Sequence, residues 1–553
     1  MPTRREMLKL GLMGGTAALL SRNEFVPKAW AQSLPPSPPT RPFVVPLPIM
    51  PVAVSKPQLL PAPGLDPVWG EAQRAPHQLW QEYFPKKFYE IHQMEALRSF
   101  HPDLPTQPVW GYNGISPGPT FHVRTGEPVL VRFHNDLRPD HVGFGKPWTS
   151  IHQHSGHTAS ESDGFPDDFF FPGLFKDYHY PLFNAGLSTS LPSGDPNEAV
   201  GTCWYHDHCL DFTSQNVYRG LVGCFFVFDD VDTGNELTGL RLPGGEFDVP
   251  LVFVDPRFTP AGQLFFDPFN NLGHLGDKFA VNGAIQPVMK VFRRKYRFRL
   301  VDGGPSRFYQ FFLSTSSTSS SNEPFVRISS DAHLLEHAFQ TDNVLIGVGE
   351  RADIIVDFSH YPKGTQLFLQ NRLEQPDPRG PTYKLLTPGA QLLRFDVGDL
   401  PPTPDKSISI GALLQPGFTL RRTPAINLND VVATRKFVFD RGQGVWTVNG
   451  QIYNSKAVAT PKQGSAEVWI LKNNGGGWSH PIHIHMEEFR IMTRNGQAPP
   501  PEEQSMKDVF RLGPNDELQI FMRFRDFLGK YPTHCHNIVH EDHAMMFRWD
   551  VVA

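Results

Sequence analysis

A chain of 553 residues is too long for one hydrophobic core, so about two to four domains are expected. Its 39% hydrophobic and 19% charged content fits a folded soluble protein and excludes a largely disordered chain. A net charge of -5 without a long basic run argues against nucleic acid as a partner. The 54 prolines and 47 glycines favour short strands and many turns over long helices.

In chain order, the first signal is an address. Arg4 and Arg5 precede an apolar stretch, and Ala29, Trp30 and Ala31 fit a small-residue cleavage site, the pattern of a twin-arginine signal peptide over residues 1–31. The apolar run is too short and too glycine-rich for a membrane span, so no stable membrane insertion is expected once it is removed. Residues 1–31 carry five Lys/Arg and two Glu, so cleavage takes the charge from -5 to -8. The twin-arginine route exports proteins already folded, often with cofactor in place. The expected location is the bacterial periplasm or exterior.

Residues 32–70 follow as a proline-rich segment, expected to be extended and to wrap a surface or act as a linker. Three later stretches then resemble one another, starting at Trp110, Phe279 and Trp446. Each places a strand, an Asn-Gly pair (Asn113-Gly114, Asn282-Gly283, Asn449-Gly450) and alternating apolar positions in the same order. Asn-Gly tolerates positive φ and fits a tight hairpin. The repeat predicts an all-β protein of three similar domains, at residues 71–235, 236–400 and 401–553. The serine-rich Ser314–Glu323 reads as a flexible loop of the middle domain.

Chemistry concentrates in histidines. Of 23, eight fall in His-x-His pairs: His152/His154, His206/His208, His483/His485 and His534/His536. Chance would give roughly one such pair, so four is an excess that survives a false-positive check. On a strand, residues two apart face the same side, so the pairs can present eight imidazoles together. That number suits a group of copper ions; a closed zinc site needs four ligands. In His534-Cys535-His536 the cysteine faces away from both histidines, so one strand serves two metal sites back to back. His480, three residues before His483, has the parity to join Cys535. His540 and Met545 can close that site as two His, one Cys and a weak axial Met, a blue-copper set.

With these residues in view, the chain resembles three-domain multicopper oxidases of the cupredoxin type, nearest to bacterial laccases, spore-coat laccases included, and bilirubin oxidases. Four blocks carry the resemblance: "IHQHSGHTASESDGFP", "GTCWYHDH", "HPIHIH" and "HCHNIVHEDHAM". It implies three consecutive Greek-key cupredoxin sandwiches and four copper ions. It further implies type 1 copper on His480, Cys535, His540 and Met545, type 2 on His152 and His483, and a type 3 pair on His154, His206, His208, His485, His534 and His536. Two positions depart from the family pattern. Ser155 follows the first histidine pair, with Gln153 inside it, where His-Trp-His-Gly is usual, and Ala544 precedes the axial methionine where glycine is usual. Neither removes a ligand. His157 and His543 are extra histidines, expected to lie outside the ligand set.

The implied activity is one-electron oxidation of a small aromatic donor coupled to four-electron reduction of dioxygen to water. Asp163, nine residues after His154, and Glu541, directly after His540, match acidic positions that relatives use to move protons. Relatives that oxidise cuprous ions often carry a methionine-rich insert; this chain has only 12 methionines and no such run, which favours phenols or aromatic amines, with a metallo-oxidase acting on cuprous or manganous ions as an alternative. A copper-free exported structural relative is the alternative from another class. A monomer is expected. With Cys535 on metal, Cys203, Cys209 and Cys224 could form at most one disulfide, and small buried thiols are the expectation for Cys203 and Cys224.

Overall fold

The computed structural model describes residues 35–319 and 321–553; the expected signal peptide lies outside them. Among the described residues six sheets form three successive two-layered β sandwiches. In the first, Lys87–Arg98 pairs antiparallel with Gln107–Tyr112 and parallel with Val129–Asn135. Its second sheet runs Phe121–Arg124, Val222–Phe228, Thr202–Asp207, Ile151–His154. Phe121, Phe133, Tyr178, Tyr205 and Phe225 fill the space between. The middle sandwich closes over Phe253, Phe298, Phe311 and Phe395, and the third over Trp469, Ile520, Phe547 and Trp549. Each such side chain, fully buried, contributes about 1.5–3 kcal/mol relative to exposure.

The sequence repeat has a structural cause. Asp248–Val254 and Val431–Gly442 repeat the pairing of Lys87–Arg98: antiparallel to the strand before the Asn-Gly pair, parallel to a later one. All three Asn-Gly pairs have positive φ at both residues, 53° and 71°, 49° and 74°, 52° and 73°, as a two-residue primed turn requires. The proline-rich segment is a strap. It bridges Val288 of the middle sandwich at Pro46, then Thr120 and Phe88 of the first at Val52 and Lys56. The strands Tyr309–Ser314 and Phe325–Ser330 flank the serine-rich stretch. Residues 398–430 connect the last two sandwiches, and Leu413 and Leu420 pack on Ile328 and Ile355 of the middle one. All four cysteines are buried free thiols.

The first and third sandwiches meet across two short helices, Thr213–Arg219 and Ile538–Asp542. Thr213 Oγ1 donates to Glu541 Oε1 at 2.7 Å, and the Ser214 amide to Asp542 Oδ2 at 3.1 Å. No helix among the described residues is long and apolar enough to cross a membrane.

Candidate metal centres

Two strands of the third sandwich build the first centre. His480–Ile484 pairs antiparallel with Gly529–Cys535, Ile482 opposite Cys535 and His483 opposite His534. The pleat therefore sends His480 and Cys535 to one face and His483 and His534 to the other. Cys535 Sγ lies 3.4 Å from His480 Nδ1 and 3.6 Å from His540 Nδ1, and the two nitrogens are 3.2 Å apart. His540 Nε2 donates to the Leu272 carbonyl at 2.9 Å. A carbonyl only accepts, so the proton sits on Nε2 and the Nδ1 lone pair is left facing Cys535. Met545 is fully buried in the same core as Cys535, with its amide on the His540 carbonyl at 3.0 Å. Met546 turns instead into a separate cluster with Phe165, Tyr453 and Ala544.

The second centre is the interdomain cluster. Ile151–His154 pairs with Thr202–Asp207, placing His152 opposite His206, and this face meets His483, His485, His534 and His536 of the third sandwich. His152 Nε2 lies 3.1 Å from His483 Nε2, His154 Nε2 2.9 Å from His536 Nε2, His208 Nε2 3.1 Å from His534 Nε2, and His485 Nε2 3.2 Å from His534 Nε2. Grouped by donor atoms, the residues fall into His152/His483/His485, His154/His206/His536 and His208/His485/His534. All eight are buried.

These sites fit a cation and little else. Nδ1 of His152, His206, His483 and His534 is bonded to the carbonyls of Asp163, Asp207, Asp508 and Cys535, at 2.7, 2.7, 2.8 and 3.1 Å. Each of these carbonyls can only accept, so each Nδ1 carries the proton. Burial holds the rings neutral, pushing His206 down to about 4 and His534 and His480 to about 3. The Nε2 atoms of His152 and His483 therefore face each other as two bare lone pairs, and His206 Nε2 has no partner at all. A metal ion satisfies these otherwise costly buried acceptors. Two imidazoles with a thiolate at one centre, and eight imidazoles at the other, are donors that suit copper.

Asp163 and Glu541 both reach the cluster. Asp163 Oδ2 accepts from His485 Nδ1 at 2.8 Å, so this residue holds His152 by its backbone and His485 by its side chain. Glu541 lies 3.4 Å from His208 Nδ1 and 3.3 Å from His534 Nδ1. Burial pushes both carboxyls well above the usual range. Asp508, which no sequence pattern marks, orients two more rings. Its Oδ2 accepts from His154 Nδ1 at 2.7 Å, and its carbonyl holds His483. Its Oδ1 accepts from Arg351 Nη1 of the middle sandwich at 2.8 Å. Burial raises the Asp508 carboxyl to about 7 despite that guanidinium.

The two departures share a property. Ser155 has φ +64° and Ala544 φ +78°, a region that glycine enters without strain and L-residues avoid. Ser155 recovers something for it, since its hydroxyl accepts from Arg351 Nη2. His157 is no part of either centre: its Nε2 pairs with Asp526 Oδ2 at 2.9 Å. His543 bonds the Val539 carbonyl through Nδ1 at 2.6 Å.

Comparison with known proteins agrees with this geometry. Multicopper oxidase family models match residues 96–232 and 425–553. The chain is 33% identical over 513 residues to a bilirubin oxidase from Albifimbria verrucaria, spanning 91% of this chain and 80% of that one. It is 30% identical over 519 residues to a laccase from Bacillus subtilis, spanning 85% and 95%. A laccase structure from Pediococcus acidilactici shares the fold, with a TM-score of 0.72 at 23% identity over 94% and 95% of the two chains. The cupredoxin-type sandwiches, the Cys-His and polyhistidine centres and these relatives together place the chain in the multicopper oxidase family, as a copper-dependent oxidoreductase.

Proposed function

We propose that the protein is a laccase-type oxidase that takes single electrons from phenols or aromatic amines and delivers them to dioxygen. In this reading one copper is held by His480, Cys535, His540 and Met545, and one by His152 and His483. A pair is held by His154, His206 and His536 with His208, His485 and His534. Bound copper would supply one-electron oxidation of the donor at the first centre and four-electron reduction of dioxygen to two waters at the second. The observation that carries the reading is the unbroken run His534-Cys535-His536. Its thiol lies in one centre and its two imidazoles in the other.

The donor site follows from His540. Its Nε2–H bonds the Leu272 carbonyl, and Leu272 lines a cavity of about 180 Å³ with Phe265, His274, Pro376, Asp377 and Pro378. Phe265, Leu272 and the two prolines offer surface to an aromatic ring, Arg257 and Asn270 line the cavity beside them, and the Asp377 carboxylate can accept from a phenol hydroxyl or an amine N–H. None of the lining residues is methionine, which supports an organic donor over a soft metal ion. Glu541, hydrogen-bonded to Thr213 Oγ1, is placed to hold a proton beside His208 and His534, and Asp163 to order water near His152 and His485. Export by the twin-arginine route and action as a monomer belong to the same reading, the first supported by Arg4, Arg5 and the apolar stretch after them. Oxygen uptake on copper-loaded protein, with phenols, aromatic amines, bilirubin, cuprous and manganous ions compared, tests the substrate class. Phenols or aromatic amines should drive uptake; a response confined to metal ions would overturn it.

A further inference from the structure

Away from both copper centres, the first sandwich carries a second kind of metal-ligating cluster. Lys87–Arg98 and Val129–Asn135 run parallel with His92 beside His134, and Glu90, two residues before His92, shares its face. The two imidazoles stack with centroids 4.5 Å apart and planes 7° from parallel. Glu90 Oε1 lies 3.2 Å from His134 Nε2. One donor atom from each of Glu90, His92 and His134 falls within 4.8 Å of the others. All three side chains are partly exposed, so an ion can reach them from solvent.

We propose that Glu90, His92 and His134 form a binding site for a divalent transition-metal ion, with zinc as the fitting probe. Two imidazoles and one carboxylate are a donor set that zinc and its neighbours accept, with remaining positions left to water. The second layer is already in place. Asp136 Oδ2 accepts from His92 Nδ1 at 2.6 Å, which fixes the tautomer and leaves Nε2 as the ligand, the carboxylate–histidine–metal arrangement. The His92 backbone is pinned from both sides by Asn113, whose Oδ1 accepts its amide at 2.8 Å and whose amide donates to its carbonyl at 2.6 Å. Charge favours a cation. Glu90 and Asp136 supply two negative charges against Lys56, whose Nζ sits 3.3 Å from Glu90 Oε2 and leaves Oε1 to the site. Arg132, opposite Glu90 on the neighbouring strand, is neutralised by a bidentate pair with Asp177 at 2.7 and 2.8 Å.

The test is calorimetric titration of zinc into the full-length, copper-loaded protein, with the visible absorption followed to show that the resident copper stays in place. The wild type should take up about one zinc per chain and unfold at a higher temperature in its presence, since the ion binds the folded state. His134→Ala should weaken binding at least tenfold. Asp136→Asn, which keeps all three ligands, should weaken it by about 10–100-fold, as lost outer partners do. A His92→Ala/His134→Ala variant that binds zinc like the wild type, or a wild type that takes up none at submillimolar zinc, would overturn the assignment.

Discussion

The two proposed copper centres are built in opposite ways. The cysteine centre draws His480, Cys535, His540 and Met545 from one sandwich and takes the Leu272 carbonyl from another. The histidine cluster takes four rings from the first sandwich and four from the third, and it exists only while those domains are docked. One centre is a property of a strand pair; the other is a property of an interface. The difference makes the cluster sensitive to residues that touch no metal, with Arg351 foremost. From the middle sandwich Arg351 bonds Asp508 of the third at 2.8 Å, and Ser155 and the Thr202 carbonyl of the first.

The largest expected effect comes from cutting that tie. Arg351→Met leaves Asp508 buried without its cation, a loss of about 3–5 kcal/mol for a broken buried pair. Metal analysis should then find copper missing from the cluster while the blue absorption of the cysteine centre persists. Loss of colour with the cluster intact would reverse the comparison. Next in size is Glu541→Leu, which should keep both centres and slow turnover by about 10²-fold, within the range for a lost proton donor. Anaerobic bleaching by donor should be unchanged, and return of colour on admitting oxygen should be slow. A slowed bleaching step would remove Glu541 from the proton role.

A smaller effect separates the two methionines. Met545→Leu should retain copper and colour and raise the reduction potential, because a weak donor to oxidised copper is lost. Met546→Leu, in the Phe165 and Tyr453 cluster, should leave the potential where it is. The smallest concerns the strained positions. Ala544→Gly should stabilise the protein by about 1 kcal/mol in denaturant unfolding, by relieving φ +78°. Ser155→Gly should give no such gain, because it also removes the hydroxyl that Arg351 bonds.

Sequence carried the cysteine centre almost completely, since strand parity alone sends His480 with Cys535 and His483 with His534. The three Asn-Gly turns and the proline strap were legible for the same reason: they are local backbone chemistry. What parity could not supply was anything made by docking. Asp508 and Arg351 lie outside the histidine-rich blocks, 157 residues apart, and neither spacing nor composition links them. The Leu272 carbonyl has no side-chain signature. Ser155 and Ala544 were visible as departures from glycine, but their strain became visible only with their φ angles. Leu413 and Leu420 lie in a stretch read as the start of the third domain, yet they pack on the second; a boundary drawn from repeats cannot see which neighbour a connection covers.

If one strand links two copper centres, metal counting with visible absorption on the wild type and Cys535→Ser should register the loss of one centre and the survival of the other. The thiolate is the source of the intense blue band, and copper binding is what deprotonates a thiol that burial otherwise pushes well above its usual range. The wild type should hold about four coppers per chain and be blue. Cys535→Ser should lose the band, substrate oxidation and about one copper, and keep the cluster copper held by the eight histidines. A serine variant that stays blue, or a wild-type protein that binds no copper, would refute that linkage.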